Sequence, residues 1–152
     1  MANSDILRFV ALDAEDLAVI SANLQDAVVR VADLVFVPKD RRFALLASRF
    51  DWVAAAAGRM ERCQTGLHFD RVSRVASMGF DRADQTMVLN LLSVVFEPGD
   101  APGGAILLTF SGGAALRLDV ECVDAQMRDL DLRWETKAKP GHAIIDDPSG
   151  AV

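Results

Sequence analysis

Between Val28 and Val120 the chain is a succession of short apolar runs in which hydrophobic residues tend to alternate with polar ones. A helical pattern stands on either side. Period-two alternation marks half-buried strands, and consecutive strands at short spacing mark a meander, sandwich or barrel. An internal echo runs through the stretch. Phe43, Leu45, Leu46 and Phe50 share the spacing of Leu89, Leu91, Leu92 and Phe96, and Leu67-His68-Phe69-Asp70 is answered by Leu116-Arg117-Leu118-Asp119. Any meander of apolar strands produces such matches, and the turns differ in length between the blocks, so duplication and coincidence both remain open.

A chain of 152 residues can bury a core of its own without disulfide or metal staples. Residues 1–135 read as a single domain and 136–152 as a C-terminal extension or tail. Asp5 sits where a secretory leader would carry basic residues, and no segment approaches the roughly 18 uninterrupted apolar residues of a membrane span. Cys63 and Cys122 have no paired spacing. The expected compartment is therefore the reducing cytoplasm, with no membrane partner.

Local patterns fill in the order. Leu7 to Ala11 is a strand candidate. Asp13 is placed as a helix N-cap, with Glu15 and Asp16 in the first turn, where the helix dipole favours negative charge. Leu17, Ile20 and Leu24 then form the buried face of a helix over about 14–26. Strands follow over 28–37, broken at Ala32-Asp33, and over 43–50 after the turn Pro38-Lys39-Asp40. The segment 51–66 is the least patterned, with one helical turn at Ala54 to Ala57 and an exposed loop beyond it. Over 67–80 the alternation changes parity, which a bulge near Val72 to Val75 would explain. Met87 to Phe96 is apolar on both faces and reads as a central strand. A hairpin spans 105–120 around Ser111-Gly112-Gly113. Val123, Met127 and Leu130 suggest a second, short helix over about 121–130, and no periodicity follows.

Chemical motifs are absent. His68, His142, Cys63 and Cys122 show no metal-ligand spacing, so no metal is expected. His68 belongs on the outer face of a strand. No nucleophile elbow and no phosphate loop occurs, so neither catalytic residues nor a cofactor can be named. Cys122 is flanked by Asp119, Glu121 and Asp124, which oppose thiolate formation. Catalytic groups can still assemble from distant positions, so an enzyme is retained as an alternative.

Charge is the one uneven feature. Residues 38–82 carry nine basic against five acidic residues, whereas the rest carries seven against seventeen. If Arg41, Arg42, Arg59, Arg62, Arg71 and Arg74 share a face, they would bind an anionic small molecule or an acidic protein partner. If they do not, they are ordinary solvated surface. Nucleic acid is disfavoured by the net charge of −6 and the lack of a recognition motif. Exposed strand edges leave a homo-oligomer open.

Val10-Ala11-Leu12-Asp13-Ala14-Glu15-Asp16-Leu17, Leu67-His68-Phe69-Asp70-Arg71-Val72, Leu118-Asp119-Val120-Glu121-Cys122 and Trp134-Glu135-Thr136-Lys137 together resemble an uncharacterised alphaproteobacterial family, domain of unknown function 2948. The resemblance covers nearly the whole chain and implies no active site. The order of elements points to an α+β fold, a strongly curled antiparallel sheet or barrel of pleckstrin-homology type with an N-terminal helix and a short C-terminal helix. A helix-grip fold is the alternative. The expected function is a non-catalytic interaction or adaptor module of unknown partner, with a small-molecule-binding protein carrying an apolar cleft as the alternative.

Overall fold

The computed structural model describes residues 7–137. Ten strands and two short α-helices follow in chain order: β1 (Arg8–Ala11), α1 (Ala14–Asn23), β2 (Val28–Arg30), β3 (Leu34–Val37), β4 (Arg42–Phe50), α2 (Trp52–Ala56), β5 (Glu61–Phe69), β6 (Val72–Met78), β7 (Val88–Pro98), β8 (Gly104–Phe110), β9 (Ala115–Val120) and β10 (Ala125–Glu135). Hydrogen bonding orders the strands β1-β10-β5-β4-β2-β7-β8-β9-β6, with β3 sharing the free edge of β4 with β2. All pairs are antiparallel.

This corrects the expected fold class. The molecule is mainly antiparallel sheet, and that sheet is neither closed nor strongly curled, so it is neither a barrel of pleckstrin-homology type nor a helix-grip fold. The path ends at β1 and β6, which do not pair with each other. The expected C-terminal helix is the strand β10 instead. A spacing of four, as between Val123 and Met127, fits period two as well as it fits a helix. Alternation decides the matter, because Ala125, Met127 and Asp129 are buried while Gln126 and Arg128 face out. A small residue and a charged one at the buried positions had hidden the pattern. Leu130 lies on the outer face.

Helix α1 starts at the expected cap, with Asp13 accepting from the Asp16 N–H at 2.8 Å. Leu17, Ile20 and Leu24 are fully buried, and Ser21 Oγ accepts from the Val94 N–H of β7 at 2.9 Å. The helix thus seals one side of a core that draws on β4, β5 and β10 as well as β7, β8 and β9. The stretch 67–80, expected to be one strand with a bulge, is two strands parted by a turn at Asp70-Arg71, with Arg71 at φ +62°, and the expected irregularity is a register shift between Val72 and Arg74 in the pairing of β6 with β9. Strand β7 does lie inside the sheet between β2 and β8, although Val88 and Val95 are exposed. Only half of the echo has a structural counterpart. Strands β4 and β7 match, but β5 pairs directly with β4, whereas β9 is separated from β7 by β8.

Two connections run side by side at one corner. Asp70 N–H donates to Asp124 O at 2.8 Å, Glu121 N–H to Arg71 O at 3.1 Å, and Val72 N–H to Arg41 O at 2.9 Å. These bonds carry the chain from β5 into β6 and from β9 into β10, and they fix the positions of the outer-face residues discussed next. At the other end of β5, the segment expected to be a loop is strand from Glu61 onward.

Candidate functional site

The six arginines singled out by the sequence fall in separate places. Arg41, Arg42 and Arg71 meet at the corner, where Arg41 pairs with Glu121, Arg42 with Asp70 at 2.7 Å and Arg71 with Asp124 at 3.7 Å. Arg74 lies on β6 and faces Asp119 at 3.8 Å. Arg59 pairs with Glu61 at 3.5 Å, and Arg62 donates to Ser48 O at 2.7 Å. Arg62 is opposite Phe50, eight positions along β4 from Arg42, or about 27 Å of strand. Arg41, Arg71 and Arg74 thus find counter-charges in the acidic remainder of the chain, and Arg42 and Arg59 find theirs within the basic segment itself.

A second arginine cluster lies on the inner face of β4, β5 and β10. Arg49 donates two hydrogen bonds to Asp129, at 2.9 and 2.7 Å, and both side chains are almost wholly buried, with 4% and 1% exposed. Asp129 also accepts from Thr65 Oγ1 at 2.8 Å and from the Leu7 N–H at 3.2 Å. Arg133 extends the network to Asp51 at 2.8 Å and Glu61 at 3.2 Å. Burial pushes the Asp129 carboxyl up, but the hydrogen bonds from Arg49 and Thr65 outweigh it and hold the group below its ordinary value. Cys63 lies beside the pair, and burial raises its thiol despite the nearby Arg49. Among the described residues no buried polar side-chain atom in the molecule lacks a partner. A buried network whose atoms all have partners rigidifies the fold and reads as structural.

The outer face of the same strands is different. Register places Arg8, Arg128, Gly66 and Leu46 side by side across β1, β10, β5 and β4, and the next row reads Val10, Gln126, His68 and Ala44. Partners in an antiparallel ladder project to the same side, so these two rows form one surface. A groove of about 380 Å³ runs over it, with Ala44, Leu46, Gly66 and Leu130 among the apolar lining and His68, Gln126, Arg128 and Asp33 among the polar lining. That volume falls within the usual range for small-molecule sites.

Gly66 opens the groove. It sits mid-strand, where glycine weakens a sheet by forgoing a packed side chain. Its surroundings do not require it. A Cβ built there would meet nothing closer than Arg128 O at 3.9 Å and Leu46 Cδ2 at 4.0 Å, which is ordinary contact. The missing side chain therefore serves no packing need and leaves an apolar trough between Leu46 and Arg128.

The polar groups around it differ in how well they are paired. Asp33 is held by Arg30 at 3.0 Å, and His68 Nε2 leans on Asp70 at 3.6 Å. Arg128 and Arg8 are exposed and, among the described residues, make no ion pair and no side-chain hydrogen bond. No serine, threonine or cysteine lines the groove. It can hold a molecule by apolar contact, hydrogen bonds and positive charge, but it offers no hydroxyl or thiol nucleophile. Among the described residues no three His, Cys, Asp or Glu side chains gather as metal ligands, and His142 lies outside those residues.

The sequence reading missed Gly66, Arg8 and Arg128. The available signal was a glycine at an outward position, between Gln64 and His68, within the unbroken alternation of Cys63, Thr65, Leu67 and Phe69, where a glycine marks either a bulge or close approach of another backbone.

A family model described as Protein of unknown function (DUF2948) matches residues 7–142. The chain belongs to the DUF2948 family. The match takes in every strand of the sheet, so the groove and the buried network both lie within the DUF2948 domain. No curated protein and no solved structure matches the chain. Among the described residues no helix of this DUF2948 protein is long and apolar enough to cross a membrane.

Proposed function

We propose that this DUF2948 domain is a non-catalytic small-molecule-binding module and that the outer-face groove over Gly66 is its site. The observation that carries the reading is a mid-strand glycine that no packing contact demands, set in the floor of a groove of ligand size. A mid-strand glycine is one mark of a place where a ligand or another backbone comes close. The apolar cleft anticipated from the sequence is thus assigned to a sheet surface rather than to the interior.

The interaction-module reading is supported by a different feature. Among the described residues strand β6 pairs only with β9, leaving one edge whose backbone donors and acceptors an extended segment of another chain, or a second copy, could join. The corner arginines are the weaker part of that reading, since each already holds a carboxylate. Two unpaired cysteines, Cys63 buried among them, fit the reducing cytoplasm as the compartment, and an alphaproteobacterial source remains part of the proposal.

Amide chemical shifts recorded during titration with a mixture of small amphipathic fragments test the site. Perturbations concentrated at Leu46, Gly66, His68 and Leu130 are expected. Perturbations confined to β6 would instead support the edge as the working surface, and none at the groove would overturn the reading.

A further inference from the structure

Arg8 and Arg128 stand directly opposite each other on β1 and β10, on the face that carries the groove. Like charges at opposed positions in a ladder have Cβ atoms about 5 Å apart and destabilise the pairing. Most of the other described arginines pair with carboxylates, as the corner shows with Arg41, Arg42 and Arg71, although Arg62 and Arg82 do not. Here two of them face each other and, among the described residues, neither makes an ion pair. The one acidic residue that lines the groove, Asp33, is engaged already by Arg30, and Asp70, beside His68, by Arg42. Across the strand from Arg128 lies Gly66, and beyond it the apolar floor formed with Leu46 and Leu130.

Resting on the assignment of the groove as the binding site, we infer that its ligand is an amphipathic oxyanion: an apolar body lying over Gly66 and a carboxylate or phosphate head against Arg128, with Arg8 behind it. The head supplies the charge that the two arginines lack, and guanidinium groups match planar or tetrahedral oxyanions through paired N–H donors. Gln126, in the next row, offers an amide N–H to the same head. The body replaces water over Leu46 and Leu130. Neither part suffices alone. An inorganic anion would lack the apolar contact, and a neutral chain would leave the arginines facing each other.

Calorimetric titration of the full chain with octanoate, octyl phosphate, 1-octanol and inorganic phosphate tests this. Octanoate or octyl phosphate should bind at least tenfold more tightly than 1-octanol or phosphate, and which of the two binds better identifies the head. Binding should weaken as salt is raised. The variant Arg8→Gln/Arg128→Gln should lose at least tenfold in affinity for the charged probes, while a thermal midpoint no lower than that of the wild type shows that the fold is intact. Equal binding of 1-octanol and octanoate, displaced by Gly66→Val, would overturn the oxyanion assignment and leave the groove standing. Binding of the charged probes that the arginine variant does not alter would overturn it too. If none of the four probes binds, the oxyanion assignment fails, and the fragment titration decides whether the groove fails with it.

Discussion

Strands β4, β5 and β10 carry arginine on both faces, and the two faces treat it in opposite ways. Inside, Arg49 is locked to Asp129 by two hydrogen bonds, and the carboxylate takes further donors from Thr65 and the Leu7 backbone. Outside, Arg128 meets Arg8 across the ladder and no carboxylate at all among the described residues. A buried charge without partners would cost several kcal/mol, so the inner face had to be completed by the fold itself. An exposed arginine is solvated and can remain uncompensated at little cost. Completeness of pairing therefore separates the cluster that builds the protein from the one left available to a ligand.

The comparison can be broken most forcefully from the inside. Asp129→Ala leaves Arg49 buried without its anion and should destabilise by about 3–5 kcal/mol, read from the denaturant midpoint. Arg49→Met/Asp129→Leu removes both charges and should recover part of that loss. A single variant that unfolds at the wild-type midpoint would show the network to be incidental. For scale, Leu24→Ala on the buried face of α1 should cost about 2–5 kcal/mol through lost burial and the cavity left behind.

Acid sharpens the same contrast. Burial raises both the Asp129 and Asp51 carboxyls, but their hydrogen bonds, from Arg49 and Thr65 in one case and from the Ala54 N–H and Arg133 in the other, hold both below the ordinary value. A folded pKa below the unfolded one contributes stability that is present above the unfolded value, about 3.9 for aspartate, and is lost as pH falls through the folded value. Denaturant midpoints should thus drop below about pH 4, and Asp129→Asn should flatten that fall. A variant with the wild-type slope would remove Asp129 from the account. The smallest effect belongs to the outer face. Arg8→Gln and Arg128→Gln should each change stability by no more than about 0.5 kcal/mol.

What the sequence revealed follows the same division. The α1 cap at Asp13 and the buried row Leu17, Ile20 and Leu24 were legible, because a side-chain cap and a 3.6-residue period are local signals. The bulge after Val72 was legible as a change of parity. Strand β10 was not, since Ala125 and Asp129 occupy its inward positions and neither looks like core. Asp129 is buried only because Arg49, eighty residues away, is brought beside it by the β10-β5-β4 order. The groove was illegible for a related reason. Arg8, Gly66 and Arg128 become neighbours only through register across three strands, and a sequence scan for charge clusters selects arginines close along the chain instead.

One substitution tests the central claim directly, because it sets fold and site against each other. Gly66→Val puts a β-favouring side chain where the structure has room for its Cβ, and it fills the trough over which a ligand would lie. Stability and octanoate affinity should be measured on the same preparation. The expected result is a gain of about 0.5–1 kcal/mol in stability together with loss of octanoate binding. Undiminished octanoate affinity in a stable Gly66→Val protein would contradict the account.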